Sequence, residues 1–344
     1  MLLRRSAIAA TFAVGLAGCV TTGGDQRHLQ PIPAQLVAQM SERGMSAADP
    51  IFMRIFKKES ELEVWKRDRS GQYALLKTYP MCRWSGQLGP KQREGDRQAP
   101  EGFYTVTPEL MNPRSQFHLS FNLGYPNALE RSQGFTGSAL MVHGACTSAG
   151  CFAMTDEGVT EIYAIAREAF SAGQKSFQVQ SLPFRMTPEN MALHRNNRHF
   201  TFWKNLKEGS DHFEATRQPP RLASCGRRYV FNPADGSGSF VAGEACPTYR
   251  PDPTVADVVA NKRNADEQRF SEIIKSGMPA MSFAHMDGGM HTSFRALLSS
   301  MGAERLQAMT SGRVEISRPE AALADPFDPA KLPKPDTTGA IKQP

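Results

Sequence analysis

Between Ile51 and His143 the chain presents one short β-prone run after another and no helical period until Thr155, an order that requires strand pairing before any long helix packs. Residues 51–57 and 61–67 alternate partly, Asp68-Arg69-Ser70-Gly71 is a turn signal, and residues 73–84 resume the pattern. These three runs predict an antiparallel meander. A loop rich in Gly, Pro and charge covers residues 85–102, after which 103–107, 117–121 and 139–143 supply further short strands. Six or seven strands before the first long helix give the expected class: mainly β with packed helices, as a β-sandwich or barrel.

Thr155 is the expected cap of that helix, with Asp156 and Glu157 suited to the positive end of its dipole. Val159, Ile162, Tyr163, Ala166 and Phe170 recur at helical spacing, and Gly173 is the stop. Residues 177–180 read as a returning strand. Thr187-Pro188-Glu189 opens a second helical region, with a partner helix over 199–207 ending at Gly209. Beyond it, 227–231 reads as a strand and 254–276 as a solvated helix. The expected division is a signal segment 1–18, a polar linker 19–48, a catalytic domain 49–185, a partly helical extension 186–318 and a Pro-rich tail 319–344 without fixed structure.

The 344 residues carry a net charge of +6, which suits an anionic neighbourhood such as a membrane surface, cell wall or nucleic acid and selects none of them. At the N-terminus, Arg4 and Arg5 precede an apolar run of about a dozen residues, short of the roughly 18 that a spanning helix needs. Leu16-Ala17-Gly18-Cys19 follows, so the segment reads as an export signal. Its ending resembles the bacterial lipoprotein signal, which implies cleavage before Cys19, diacylation of that residue and, with Val20 rather than Asp next, a periplasm-facing anchor in the outer membrane. An ordinary secretory signal cleaved nearby is the alternative.

Export brings oxidising surroundings. Of the six cysteines, acylation of Cys19 and one catalytic thiol leave four, which admit three pairings. Cys225 with Cys246 is the first choice, because Asp235-Gly236-Ser237-Gly238 midway between them reads as a hairpin turn. Cys82 with Cys146 is then the other pair. No Cys-x-x-Cys occurs, and His194 and His199 are five apart rather than the four of a helical zinc motif.

The densest chemical signal is Val142-His143-Gly144-Ala145-Cys146-Thr147-Ser148-Ala149-Gly150-Cys151-Phe152-Ala153-Met154. A free thiol has a pKa of about 8.5, so thiolate chemistry at neutral pH needs a base or cation nearby, and His143 is the candidate for Cys151. Gly144 and Gly150 let the loop curl until imidazole and sulfur meet, and the Cys151 amide, with that of Gly150, is a candidate oxyanion donor. The bland reading makes His143 a hydrogen-bonded strand end and Cys146 with Cys151 buried thiols or a local disulfide.

His-Gly followed by Ser-x-Gly-Cys resembles the catalytic signature of the L,D-transpeptidase (YkuD) family, and Cys151-Phe152-Ala153-Met154-Thr155-Asp156 resembles its YafK-type branch. Three further stretches agree: Ser85-Gly86-Gln87-Leu88-Gly89-Pro90-Lys91, Gly95-Asp96-Arg97-Gln98-Ala99-Pro100-Glu101-Gly102-Phe103-Tyr104, and His118-Leu119-Ser120-Phe121-Asn122-Leu123-Gly124-Tyr125-Pro126-Asn127. The resemblance implies a YkuD-like catalytic domain with an α-rich C-terminal extension, Cys151 as nucleophile, His143 as general base and acid, loop support from Ser148, Gly150 and Gly144, and no metal or organic cofactor. Ala149 and Ala153 stand where many members have His and Arg, so a carboxylate-reading Arg is missing there.

What the resemblance implies chemically is thiolate attack on an amide at a meso-diaminopimelate centre of a peptidoglycan stem peptide, giving a thioester. An incoming amine completes transpeptidation, and water completes hydrolysis. Within the branch, the hydrolytic form releases a wall-attached outer-membrane lipoprotein. An inactive peptidoglycan-binding lipoprotein is the alternative from another class.

His118 is a candidate for the substrate cleft, or a strand residue tucked against a carbonyl. Phe200, Trp203 and Leu206 have the spacing of a packed helix face more than of a glycan platform. Arg195, Arg198, Arg217, Arg221, Arg227 and Arg228 form a basic cluster that reads first as solvated surface, with wall polymer or lipid headgroups as candidate partners. No nucleic-acid motif accompanies them.

Overall fold

The computed structural model describes residues 26–281, 287–310 and 314–323, so the expected signal segment and Cys19 lie outside the described residues. In chain order the elements are α1 (Ala34–Glu42), β1 (Ile51–Phe56), β2 (Glu61–Arg67), β3 (Tyr73–Pro80), β4 (Arg83–Trp84), β5 (Gly102–Val106), β6 (Met111–Asn112), β7 (Ser120–Asn122), α2 (Ala128–Ser132), β8 (Met141–His143) and β9 (Phe152–Ala153). They continue with α3 (Asp156–Ser171), β10 (Phe177–Leu182), α4 (Pro188–Leu193), α5 (Phe200–Thr216), β11 (Leu222–Cys225), β12 (Arg228–Phe231), α6 (Ala256–Lys275), α7 (Thr292–Met301), α8 (Ala303–Gln307) and α9 (Pro319–Leu323).

Two five-stranded mixed sheets result, of order β3-β2-β1-β10-β5 and β4-β9-β8-β7-β6, with a β11-β12 hairpin beside them. The expected meander forms as β1, β2 and β3. The run expected over 73–84 breaks after Pro80, and its last two residues cross to the second sheet as β4. Strand β1 is buried at every residue, which explains its nearly continuous apolar sequence. Met53 and Ile55 face the main core, while the Phe52 ring packs tilted against Phe213 of α5 with centroids 4.4 Å apart. Thr155 caps α3, its hydroxyl accepting from the Gly158 amide at 2.9 Å.

Several expectations change. The linker over 19–48 gives way at its C-terminal part to α1, whose Leu36 and Met40 join the core. An amphipathic stretch of nine residues was hidden by polar neighbours on both sides. Helix α5 runs through Gly209 to Thr216, because a Cβ at Gly209 would meet the rings of Phe103 and Phe231 within 2.7 Å. Here glycine permits close approach and is no stop. Met186, Trp203, Leu206, Tyr229 and Phe231 pack into the same core as β1 and α3, so no separate core begins at 186. Trp203 and Leu206 are fully buried, the packed-face reading. The expected unstructured tail starts with a short helix, α9, and residues 324–344 lie outside the described residues.

The charged loop over 85–102 is fastened from inside. Lys57, fully buried, donates to the carbonyls of Gln87, Gly89 and Ala99 and to Glu101, whose other oxygen accepts from the Trp203 indole at 2.8 Å. A buried ion pair with so many donors satisfied holds a loop in one place. Among the described residues, no helix is long and apolar enough to cross a membrane.

Candidate active site

Strands β8 and β9 run parallel, with Val142 opposite Phe152 and His143 opposite Ala153. Extending that register by one puts Met141 opposite Cys151, and the Met141 amide indeed points at the Cys151 sulfur, 3.4 Å away. Side chains alternate along a strand, so His143 and Cys151 emerge on the same face, two positions apart on neighbouring strands. The loop of seven residues between them is shorter than the dozen or so that a parallel connection ordinarily needs, and it suffices because each strand is only two or three residues long.

That loop is tied at several points. Cys146 is bonded to Cys82 beside β4, and Cys225 to Cys246, the two pairings expected; Cys151 is free and half-buried. Ser148 Oγ donates to the Cys151 carbonyl (2.8 Å), accepts from the Gly150 amide (3.3 Å) and lies 2.9 Å from the Ser85 hydroxyl. Gly150 has φ +134°, a backbone state that favours glycine. Gly144 does not have positive φ; Ala145 takes the left-handed position at +59°. Glycine is needed at 144 for space, since a Cβ there would stand 2.7 Å from Asp156 Oδ1 and 2.9 Å from His118 Cβ.

His143 is buried, its ring 4.9 Å from that of Phe117. Its Nδ1 faces the Gly144 carbonyl, so that nitrogen carries the proton and Nε2 keeps the lone pair. Burial pulls the imidazole down to about 4, against the opposing pull of the Gly144 carbonyl and Asp156. Burial also pushes the Cys151 thiol up, opposed by the Met141 amide and the positive charge of Lys91. Thiol and imidazole are therefore both neutral at rest, and the Cys151 thiol is directed at the Ala139 carbonyl, 3.8 Å away.

Asp156, read from sequence only as a dipole acid, accepts from the Ala145 amide at 2.8 Å and braces the turn after His143. His118 joins it: Nδ1 lies 3.7 Å from Asp156 Oδ2 and Nε2 2.9 Å from the Thr160 hydroxyl, on the α3 side of the turn. Lys91, quoted in a motif but given no part, hydrogen-bonds Asp96 at 2.5 Å. Ala153 is fully buried opposite Arg83. The C-terminal region, which had no assigned part, also reaches the loop. Ser317 Oγ accepts from the Ser148 amide (2.9 Å), and the buried Arg83 donates to the carbonyls of Ser317 and Asp287. No local pattern signals such a return, because it joins segments 169 to 234 positions apart. Among the described residues, no group of three or more His, Cys, Asp or Glu could hold a metal ion.

Residues 53–176 match the family of L,D-transpeptidase catalytic domains, YkuD. The proteins named "Putative L,D-transpeptidase YafK" in Escherichia coli K12 and O157:H7 are each 40% identical over 226 residues, covering 65% of this chain and 89% of theirs. Among solved structures, the helical cell shape determining protein Pgp2 of Campylobacter jejuni aligns at TM-score 0.32 and 21% identity, over 46% of this chain and 57% of its own. Bd1075 of Bdellovibrio bacteriovorus aligns at TM-score 0.29 and 11% identity, over 60% of this chain and 94% of its own.

Proposed function

Since the chain belongs to the YkuD family of L,D-transpeptidases, in the YafK-type branch, we propose that it is a cysteine acyltransferase acting on meso-diaminopimelate bonds of peptidoglycan stem peptides. The observation that carries this reading is the placement of His143 and the unpaired Cys151 on one face of adjacent parallel strands, while the other four cysteines among the described residues are bonded in pairs.

With both groups neutral at rest, the first step is concerted. His143 Nε2 takes the thiol proton as the sulfur attacks the amide carbonyl, and the imidazolium so formed keeps its Nδ1–H on the Gly144 carbonyl. The Cys151 amide is the proposed oxyanion donor, because the Gly150 amide already serves Ser148 and shapes the loop. Collapse expels the peptide amine, which recovers its proton from His143, and leaves a thioester on Cys151. An amine then gives a cross-link and regenerates the thiol; water gives release of the acyl peptide. His118 supports the loop through Asp156 in this scheme.

Two disulfides suit an oxidising compartment, and together with the Leu16-Ala17-Gly18-Cys19 motif they support an exported protein lipid-anchored at Cys19 on the periplasmic side of the outer membrane. Incubation of the native protein with purified wall fragments, read by mass spectrometry, tests the function. New cross-links support transfer, a liberated lipoprotein peptide supports the hydrolytic form, and unchanged fragments leave an inactive wall-binding protein.

A further inference from the structure

A polar cleft opens next to the 85–102 loop, close to the catalytic turn. It has a volume of about 360 Å³ and gathers Arg93 and Arg97 from the 85–102 loop, Arg198 from the segment after α4, and Arg318 from the segment before α9. Its wall abuts the turn: Arg97 donates to the Ser148 carbonyl at 3.2 Å, and the Gln98 carbonyl lies 3.5 Å from where a Cβ on Gly150 would stand. Two of its lining residues, Arg97 and Gln98, thus touch the turn that carries Cys151.

The charges in this cleft do not balance. Asp287, nearly buried, takes Arg97 at 3.0 Å and Arg318 at 3.4 Å, and it is shared further with Arg83 at 3.8 Å. Asp96 is engaged by Lys91. Arg93 and Arg198 are exposed, and neither makes an ion pair among the described residues, although the Arg198 Nε donates to His199. Two exposed guanidinium groups thus line a concave space in which both local carboxylates are already taken. Planar five-donor groups of this kind match a carboxylate bidentately, and the volume suits one or two amino-acid residues better than a polymer.

We propose that this cleft binds a free carboxylate of the acyl-donor peptide and thereby sets which amide meets Cys151. The proposal rests on the acyl-transfer reading, since that reading supplies a donor peptide rich in carboxylates. Asp287 has a positioning part: it engages Arg97 and Arg318 on one oxygen and leaves the open donors to Arg93 and Arg198. The carboxylate would come from the donor peptide itself, so amidating it should matter as much as removing the arginines.

The test uses the full chain carrying Cys151→Ala, so that nothing turns over, and a synthetic stem tetrapeptide in free-acid and C-terminal carboxamide forms. Calorimetry should show the acid bound about tenfold more tightly than the amide. Arg93→Gln with Arg198→Gln should erase that ratio, and Arg93→Glu with Arg198→Glu should invert it. Both positions are exposed, so an unchanged thermal midpoint accompanies either result. Equal affinities for the two forms, a ratio that survives the double variants, or no binding of either peptide would each overturn the proposal. Arginine-dependent binding by a protein whose native form leaves wall fragments unchanged would retire the acyl-transfer reading and keep the site. Wall fragments processed equally well by Arg93→Gln/Arg198→Gln would do the reverse.

Discussion

Asp156 and His143 hold opposite ends of one peptide unit: Asp156 Oδ1 accepts from the Ala145 amide at 2.8 Å, and the Gly144 carbonyl of the same unit accepts from His143 Nδ1. A carboxylate on the N–H end polarises the unit and makes its carbonyl a better acceptor. The first acid of α3 is in this way coupled to the imidazole without touching it.

Asp156→Asn keeps an oxygen of the same reach but removes the charge. Turnover should fall about tenfold at unchanged KM, and the acidic limb of the kcat profile should move to lower pH, because Asp156 favours the protonated imidazole. Asp156→Ala, which frees the turn as well, should lose about a hundredfold. Full activity and an unshifted profile in Asp156→Asn would confine the residue to packing.

The neutral resting pair predicts an unusual alkylation profile. Burial raises the Cys151 thiol pKa, so the thiolate becomes plentiful only on the alkaline side of the free-thiol range of about 8.5, and the imidazole, near 4, is already neutral through the whole interval. Iodoacetamide modification, followed by mass spectrometry, should keep rising past that range. A plateau reached below neutral pH would reveal a thiolate–imidazolium pair at rest and contradict the derived protonation states.

Gly144→Ala tests the steric part of the turn. The new methyl would press on Asp156, the His118 Cβ and the Phe117 carbonyl, all within 3.0 Å, so the turn must shift. The expected cost is about 1–3 kcal/mol in urea unfolding, with activity lost more than tenfold. Gly150→Ala, by contrast, meets nothing closer than 3.5 Å and should be penalised for its backbone state alone.

Cys82 and Cys146 are both buried and close a loop over a sequence separation of 64. Replacing both by serine should lower stability by about 4 kcal/mol and broaden the kinetics of Cys151, since the tie between β4 and the catalytic turn is lost. Urea midpoints under non-reducing conditions measure the first, and acylation rates with a thioester-forming β-lactam measure the second. A change below about 1 kcal/mol would mean that the Ser148–Ser85 and Ser317 contacts already fix the loop.

The strand meander, the Thr155 cap, the buried stripe of α3 and the Cys225–Cys246 pairing were legible in the chain, because each depends on spacing, turn residues or capping within a few tens of positions, whereas Cys82–Cys146, 64 positions apart, followed only as the remaining pair. The His143–Cys151 motif could be located the same way. Its protonation state could not, since this follows from how much of the molecule closes over the imidazole. Nor could the docking of α1, the bracing by Asp156, the return of Ser317 to the catalytic turn or that of Asp287 to Gly86. Local pattern specifies what a segment can form. Burial and the meeting of distant segments are set by the whole packed chain, so the charge, access and shape of the site exist only once the fold is complete.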